Sequence, residues 1–166
     1  MTKSLIRSLA AIVLAGAVVS TPALLRADSL ESDIELLRSD LRTEKIDIVK
    51  NAIHVEGAKA DAFWPVYRKY QGDLDKIGDK RMAMIKDYAA NYSAMTDTKA
   101  KELVKRAFDV QSQRTALLKK YYSEFSKVLG ATEAAKLVQV ESLVNSLIDL
   151  QVGANLPLIE KPAASQ

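Results

Sequence analysis

Few side chains in this 166-residue chain have the type and spacing that chemistry requires. There is no cysteine and one histidine, His54. Neither a hydrolase triad nor a Cys–His pair takes shape around a lone histidine beside a helix break, where an exposed or capping role suits it better. Metal ligation finds no cysteine, no second histidine and no Glu-x-x-His pair. Asp73, Asp75 and Asp79 lie close together, but Lys76 and Lys80 are interspersed among them. That pattern reads as a solvated helical face and not as a calcium loop with its obligatory glycine. Met82, Met84 and Met95 are better placed as core filling and loop contact than as soft-metal ligands. The sequence therefore predicts no catalytic residue, no metal and no cofactor, and a chain that is not an enzyme.

The aromatic and cationic residues carry more information. Phe63, Trp64, Tyr67, Tyr70 and Tyr88 belong to one predicted helix, and Phe108, Tyr121, Tyr122 and Phe125 to the next. Around them lie Arg68, Lys69, Lys76, Lys80, Arg81, Arg106, Arg114, Lys119 and Lys120. A surface both apolar and cationic holds flexible partners through aromatic contacts and cation–π attraction. These nine cations are the candidate binding residues. Most of the aromatics at regular helical spacing are expected in the core instead.

Residues 1–27 read as a secretory signal peptide: Lys3 and Arg7, then an apolar run from Leu9 to Val19, then Ser20, Thr21, Pro22 and Ala23. The run is about half the roughly 20 residues that a membrane-spanning helix needs. Cleavage after Ala23 and cleavage after Ala27 both fit. This assignment places the protein in the periplasm and changes the charge balance. Three of the 24 Lys and Arg precede Asp28, whereas all 21 Asp and Glu lie at or after it, so the remainder is electrically neutral. A globally basic nucleic-acid binder is thereby disfavoured. With no cysteine, stability must come from packing without disulfides.

The elements that position these side chains are helical throughout, and the fold class expected is all-α: a long antiparallel hairpin with flanking N- and C-terminal helices, in one domain over residues 28–156. A first helix is predicted from Asp28 to about Asn51, with Leu30, Ile34, Leu37, Leu41 and Ile48 on one face. The second bears Ala60, Phe63, Tyr67, Tyr70, Leu74, Ile77, Arg81, Met84 and Tyr88 at alternating steps of three and four, a heptad seam with Arg81 its one polar member. Pro65 is expected in its first turn or two. A break over residues 91–98 offers Thr96 or Asp97 as the next N-cap.

The third helix, from about Lys99 to Leu129, carries two adjacent stripes: Leu103, Ala107, Val110, Leu117, Tyr121 and Val128, beside Val104, Phe108, Leu118, Tyr122, Phe125 and Leu129. So broad a face exceeds what one neighbour covers and predicts a homodimer. Gly130 ends this helix. A fourth runs from Glu133 to about Gln151, stopped by Gly153 and Pro157, and residues 157–166 form a flexible tail. Charge is uneven along the chain: residues 28–56 carry net −4, residues 57–127 net +6 and residues 128–166 net −2. Acidic flanks packing on a basic hairpin, and a basic surface facing an acidic or unfolded partner, both account for this.

The chain resembles the Spy/CpxP-type periplasmic helical chaperones and stress-response inhibitors, which carry LTxxQ boxes at two helix starts. Here the first such place reads Val55-Glu56-Gly57-Ala58-Lys59 and the second Leu129-Gly130-Ala131-Thr132-Glu133. LTxxQ amounts to a buried leucine followed by a capping box. The second site keeps the leucine and has Glu133 for the glutamine, whereas the first keeps only an apolar residue. The resemblance covers about residues 40–155. It implies a thin, curved, antiparallel helical dimer that binds unfolded or partly folded periplasmic proteins without ATP. The alternatives are a regulatory partner that docks on the periplasmic domain of an envelope-stress sensor kinase, and a purely structural helical module.

Overall fold

The computed structural model describes residues 44–159. The predicted signal peptide with its two cleavage sites, the predicted start of the first helix at Asp28 with its Leu30–Leu41 stripe, and residues 160–166 of the expected tail lie outside the described residues. Within them the chain is all-α. Residues 44–52 form α1, followed by α2 (Gly57–Asn91), α3 (Asp97–Leu129) and α4 (Ala131–Ala154), with a short 3₁₀ turn at Tyr92–Ala94.

The long hairpin is α2 and α3. At 1.5 Å per residue the 35 residues of α2 span about 52 Å. The break after Asn91 is set locally: the Thr96 hydroxyl accepts from the Lys99 backbone N–H at 3.2 Å and caps α3. Antiparallel register follows from the short connection. Phe63 lies against Phe125, Tyr70 against Tyr121, and Lys80 donates to Gln113 at 2.6 Å.

A single residue separates α3 from α4. Gly130 has φ +86° and ψ 160°, a region that only glycine occupies at low cost. Its N–H bonds the Ser126 carbonyl and its own carbonyl accepts from Ala134, so one helix closes as the next begins. This tight reversal returns α4 along the hairpin, parallel to α2: Tyr70 meets Glu141, Arg81 meets Asp149, and the Tyr88 hydroxyl reaches the Pro157 carbonyl.

The core follows the seam. Phe63, Tyr67, Tyr70, Tyr121, Phe125, Leu129 and Leu137 are buried, α1 adds Val49 and Ala52, and Ile53 follows directly after it. Ring centroids within this cluster lie 5.4–6.3 Å apart, mostly in tilted and edge arrangements such as Tyr70–Tyr121 and Tyr67–Phe125, with Phe63 and Tyr67 stacked. Beyond Arg81 the buried residues of α2 are Met82 and Ile85, with Met84 and Tyr88 only half-buried. A straight α-helix drifts about 20° per heptad from a 3.5-residue repeat, which moves the buried line by a position over this length.

Two boundary expectations and one packing expectation need correction. The second helix begins at Gly57, which puts Pro65 in its third turn; Pro65 is exposed there and forgoes a backbone bond to Asp61. The fourth helix begins at Ala131 and runs through Gly153 to Ala154. A helix of this length has neighbouring turns to hold a glycine in place, so the stop falls at Asn155, just before Pro157. The two stripes of α3 are buried unequally. The second is covered at Phe125 and Leu129, where α1 and α4 converge, but Val104, Phe108 and Tyr122 are exposed.

Candidate functional site

Of the nine candidate cations, six point outward. Arg68, Lys69, Lys76, Lys80, Lys119 and Lys120 are all exposed. Lys76 pairs with Asp73 at 2.8 Å, and Lys120 lies 5.2 Å from the centre of the Tyr121 ring. The other three are engaged within the bundle. Arg114 grips Asp149 with two bonds of 3.0 Å each, and Arg81 meets the same carboxylate at 2.6 Å. Burial acts first on Arg81 and lowers its pKa, partly offset by the Asp149 charge. Arg106 pairs with Asp87, which also takes Lys99. Burial opposes ionisation of Asp87, yet its bonds from Lys99 and Arg106 outweigh that and hold its carboxyl below the ordinary range.

The acidic fourth helix thus neutralises two arginines of the basic hairpin, and part of the charge asymmetry is spent on assembly. A second polar cluster is deeper. Glu141 of α4 is fully buried, and its carboxylate receives Tyr67 at 2.8 Å, Tyr70 at 2.9 Å, Gln71 at 3.4 Å and the buried Lys45 ammonium at 2.7 Å. Burial, and next the adjacent carboxylate, push the Tyr67 and Tyr70 hydroxyls above the usual phenol range. These four contacts tie Glu141 to side chains of α1 and α2, an arrangement suited to fixing α1 and α4 against α2. Sequence reasoning passed over Glu141 and Lys45. Glu141 had a legible signal, because it interrupts the apolar line Ala134, Leu137, Val144 at helical spacing just as Arg81 interrupts α2.

Along the outer side of α3, residues 101, 105, 108, 112, 115, 119 and 122 recur at alternating steps of four and three, and all are exposed. They are Lys101, Lys105, Phe108, Ser112, Thr115, Lys119 and Tyr122. Phe108 is the extreme case, 71% exposed, with Val104 beside it at 49%. A shallow depression is lined by Ala100, Lys101, Val104, Lys105, Phe108 and Asp109. Lys101 and Lys105 were absent from the nine candidates, although their spacing of seven and three residues before Phe108 places them on its face.

This face can hold an apolar side chain between two exposed ammonium groups; it has no nucleophile with an adjoining base. His54 is exposed in the α1–α2 connection. Among the described residues no three His, Asp or Glu side chains gather as a metal site, and no helix is long and apolar enough to cross a membrane. The chain matches no protein-family model, no curated protein and no solved structure.

Proposed function

We propose that this protein is an ATP-independent, chaperone-like binder of unfolded or partly folded proteins, acting in the periplasm as a homodimer. The observation that carries the reading is the outward seam of α3, where Phe108 and Val104 are exposed between Lys101 and Lys105. Isolated exposed hydrophobics are ordinary, but Phe108 at 71% exposure adjoins Val104 at 49%, and contiguous apolar surface rimmed by polar groups is the mark of an interaction site. Lysines around it attract acidic or unfolded chains over distance, and the ring and the valine then hold them weakly. Exposed Lys119 and Tyr122 extend the same seam toward the other end of α3.

The test is suppression of aggregation of an unrelated unfolding protein by the chain lacking residues 1–27. Suppression is expected at up to equimolar ratio, strongest at low salt, where the Debye length is about 30 Å at 0.01 M against 10 Å at 0.1 M. Phe108→Ser together with Val104→Ser should reduce it several-fold while leaving the helical spectrum intact, because both residues stand outside the core. An equal effect of wild type and variant, or no suppression at low salt, refutes the proposal.

A further inference from the structure

Charge and apolar bulk are divided unevenly over the surface of the bundle. From Leu137 to Ile159 ten residues are exposed and none of them is charged, whereas nine of the nineteen exposed residues of α3 are charged. The two acidic groups in that stretch are engaged inward: Glu141 is buried against Lys45, and Asp149 takes Arg81 and Arg114. The exposed set includes Leu143 at 50% and Leu150 at 68%, and beyond the helix Leu158 at 87%. Leu158 is held in place there, since its carbonyl accepts from the Tyr92 hydroxyl at 3.1 Å.

On α4 these side chains make a seam. Gln139, Leu143, Ser146, Leu150 and Gly153 recur at alternating steps of four and three, on the side opposite the buried Leu137, Glu141, Val144 and Val152. From Leu143 onward large and small residues alternate along it. The Ser146 hydroxyl donates to the Ser142 carbonyl at 2.9 Å, so a neighbour can cover it without stranding a polar group.

We propose that this uncharged seam of α4 is the interface with a second copy of the chain, antiparallel about a two-fold axis. Such an axis brings the same face of both copies together. With the axis level with residue 148, Leu150 of each copy meets Ser146 of the other and Leu143 meets Gly153. Each leucine then enters a gap left by a small residue. A face of one sign would repel its own copy, and this face carries no charge to do so.

Two other occupants fit worse. A lipid surface takes helices with Lys or Arg flanking the apolar face and Trp or Phe within it, and the seam has none of these. An acidic or unfolded client is drawn by lysines, which stand on α3. The 24 residues of α4 span about 36 Å, and at a width of about 11 Å the seam offers roughly 400 Å² per copy. That size belongs to weak, reversible contacts. The proposal rests on the homodimer of the chaperone reading and moves its interface from the broad face of α3, which stays open to clients, to α4.

Sedimentation velocity of the chain expressed from Met1, from about 5 to about 200 µM, reads the association. Wild type should pass from monomer to dimer over this range. Leu143→Glu with Leu150→Glu should raise the dissociation constant at least about tenfold, by setting like charges against each other. Val104→Ser with Phe108→Ser, on α3, should leave it unchanged. Monomer throughout in wild type overturns both this interface and the homodimer. A dimer that survives the two glutamates, or that is lost in the α3 variant, overturns the interface alone.

Disulfide trapping decides the matter should the glutamates disturb folding, because the chain contains no cysteine of its own. In the antiparallel pair, position 143 of one copy lies about 15 Å from position 143 of the other, beyond the roughly 7 Å that a disulfide spans between Cα atoms. Leu143→Cys with Gly153→Cys should therefore give a chain-to-chain disulfide at least about tenfold faster than either substitution alone. Single substitutions that cross-link as fast as the pair overturn the antiparallel interface.

Discussion

Replacing Glu141 by alanine is the most exacting test of how this bundle is held together. The carboxylate is fully buried and accepts from Tyr67, Tyr70 and Gln71 while pairing with Lys45 at 2.7 Å. Its removal strands a lysine whose side chain is only 6% exposed and leaves two buried hydroxyls without their acceptor. Breaking a buried ion pair from one side costs about 3–5 kcal/mol, against a whole-domain stability of roughly 5–15 kcal/mol. The hydroxyl losses overlap with this figure and are not added to it. For a domain of this size, each kcal/mol moves the melting midpoint by about 3–5 °C, so a fall of about 10–20 °C is expected.

The assay is urea unfolding followed by circular dichroism, run on wild type, Glu141→Ala, Lys45→Met and the double variant. Lys45→Met alone should also be strongly destabilising, since it leaves the carboxylate short of its counter-charge. Added to Glu141→Ala, the same change should cost much less than it does alone, because it removes a lysine that has already lost its counter-charge. A loss below about 1 kcal/mol for Glu141→Ala, or additive single effects, would refute the assignment of this pair as the clamp between α1 and α4.

Three further outcomes follow from the same geometry. The Tyr67 and Tyr70 hydroxyls are raised above the phenol range by burial and the Glu141 charge, and Tyr121 is pushed up to about 12 by burial and its bond to Asp73. The folded state therefore holds these protons more tightly than the unfolded chain, and their stabilisation is complete below about pH 10 and lost as pH rises beyond it. Urea midpoints at pH 8 and 11 should diverge less in Tyr121→Phe than in wild type. Gly130→Ala should cost about 1–3 kcal/mol through backbone strain alone, because nothing lies within 4 Å of the added methyl; a neutral result in thermal melts would contradict the single-residue junction. Asp149→Asn leaves Arg81 and Arg114 facing each other, and as Asp149 is 37% exposed the expected loss is about 1–2 kcal/mol. That loss should shrink in 0.5 M salt, and insensitivity to salt would count against it.

Much of the architecture was legible because it is local. The three- and four-residue steps from Phe63 to Ile77 define one helix face whatever packs on it, Thr96 carries its own capping oxygen, and Gly130 supplies the backbone freedom that a one-residue turn demands. What could not be read was which of two equal stripes on α3 would be covered. Val104 and Phe108 have the same periodicity as Phe125 and Leu129, and only the convergence of α1 and α4 at one end of the hairpin separates them. The cations divided in the same way: Arg81, Arg106 and Arg114 met carboxylates from distant turns, while Lys101 and Lys105 stood free of the core beside Phe108.

The sequence by itself determined that the chain is helical, where it turns, that the hairpin is basic, and that an aromatic seam lies within it. These properties depend on side-chain period, cap chemistry and glycine freedom, all of which act over a few residues. The tertiary structure alone decided that Glu141 and Lys45 go inside together, that Asp149 gathers two arginines, and that Phe108 faces water. Each of these depends on what stands opposite, across some 35 to 96 residues of chain, and periodicity names a face without naming its neighbour.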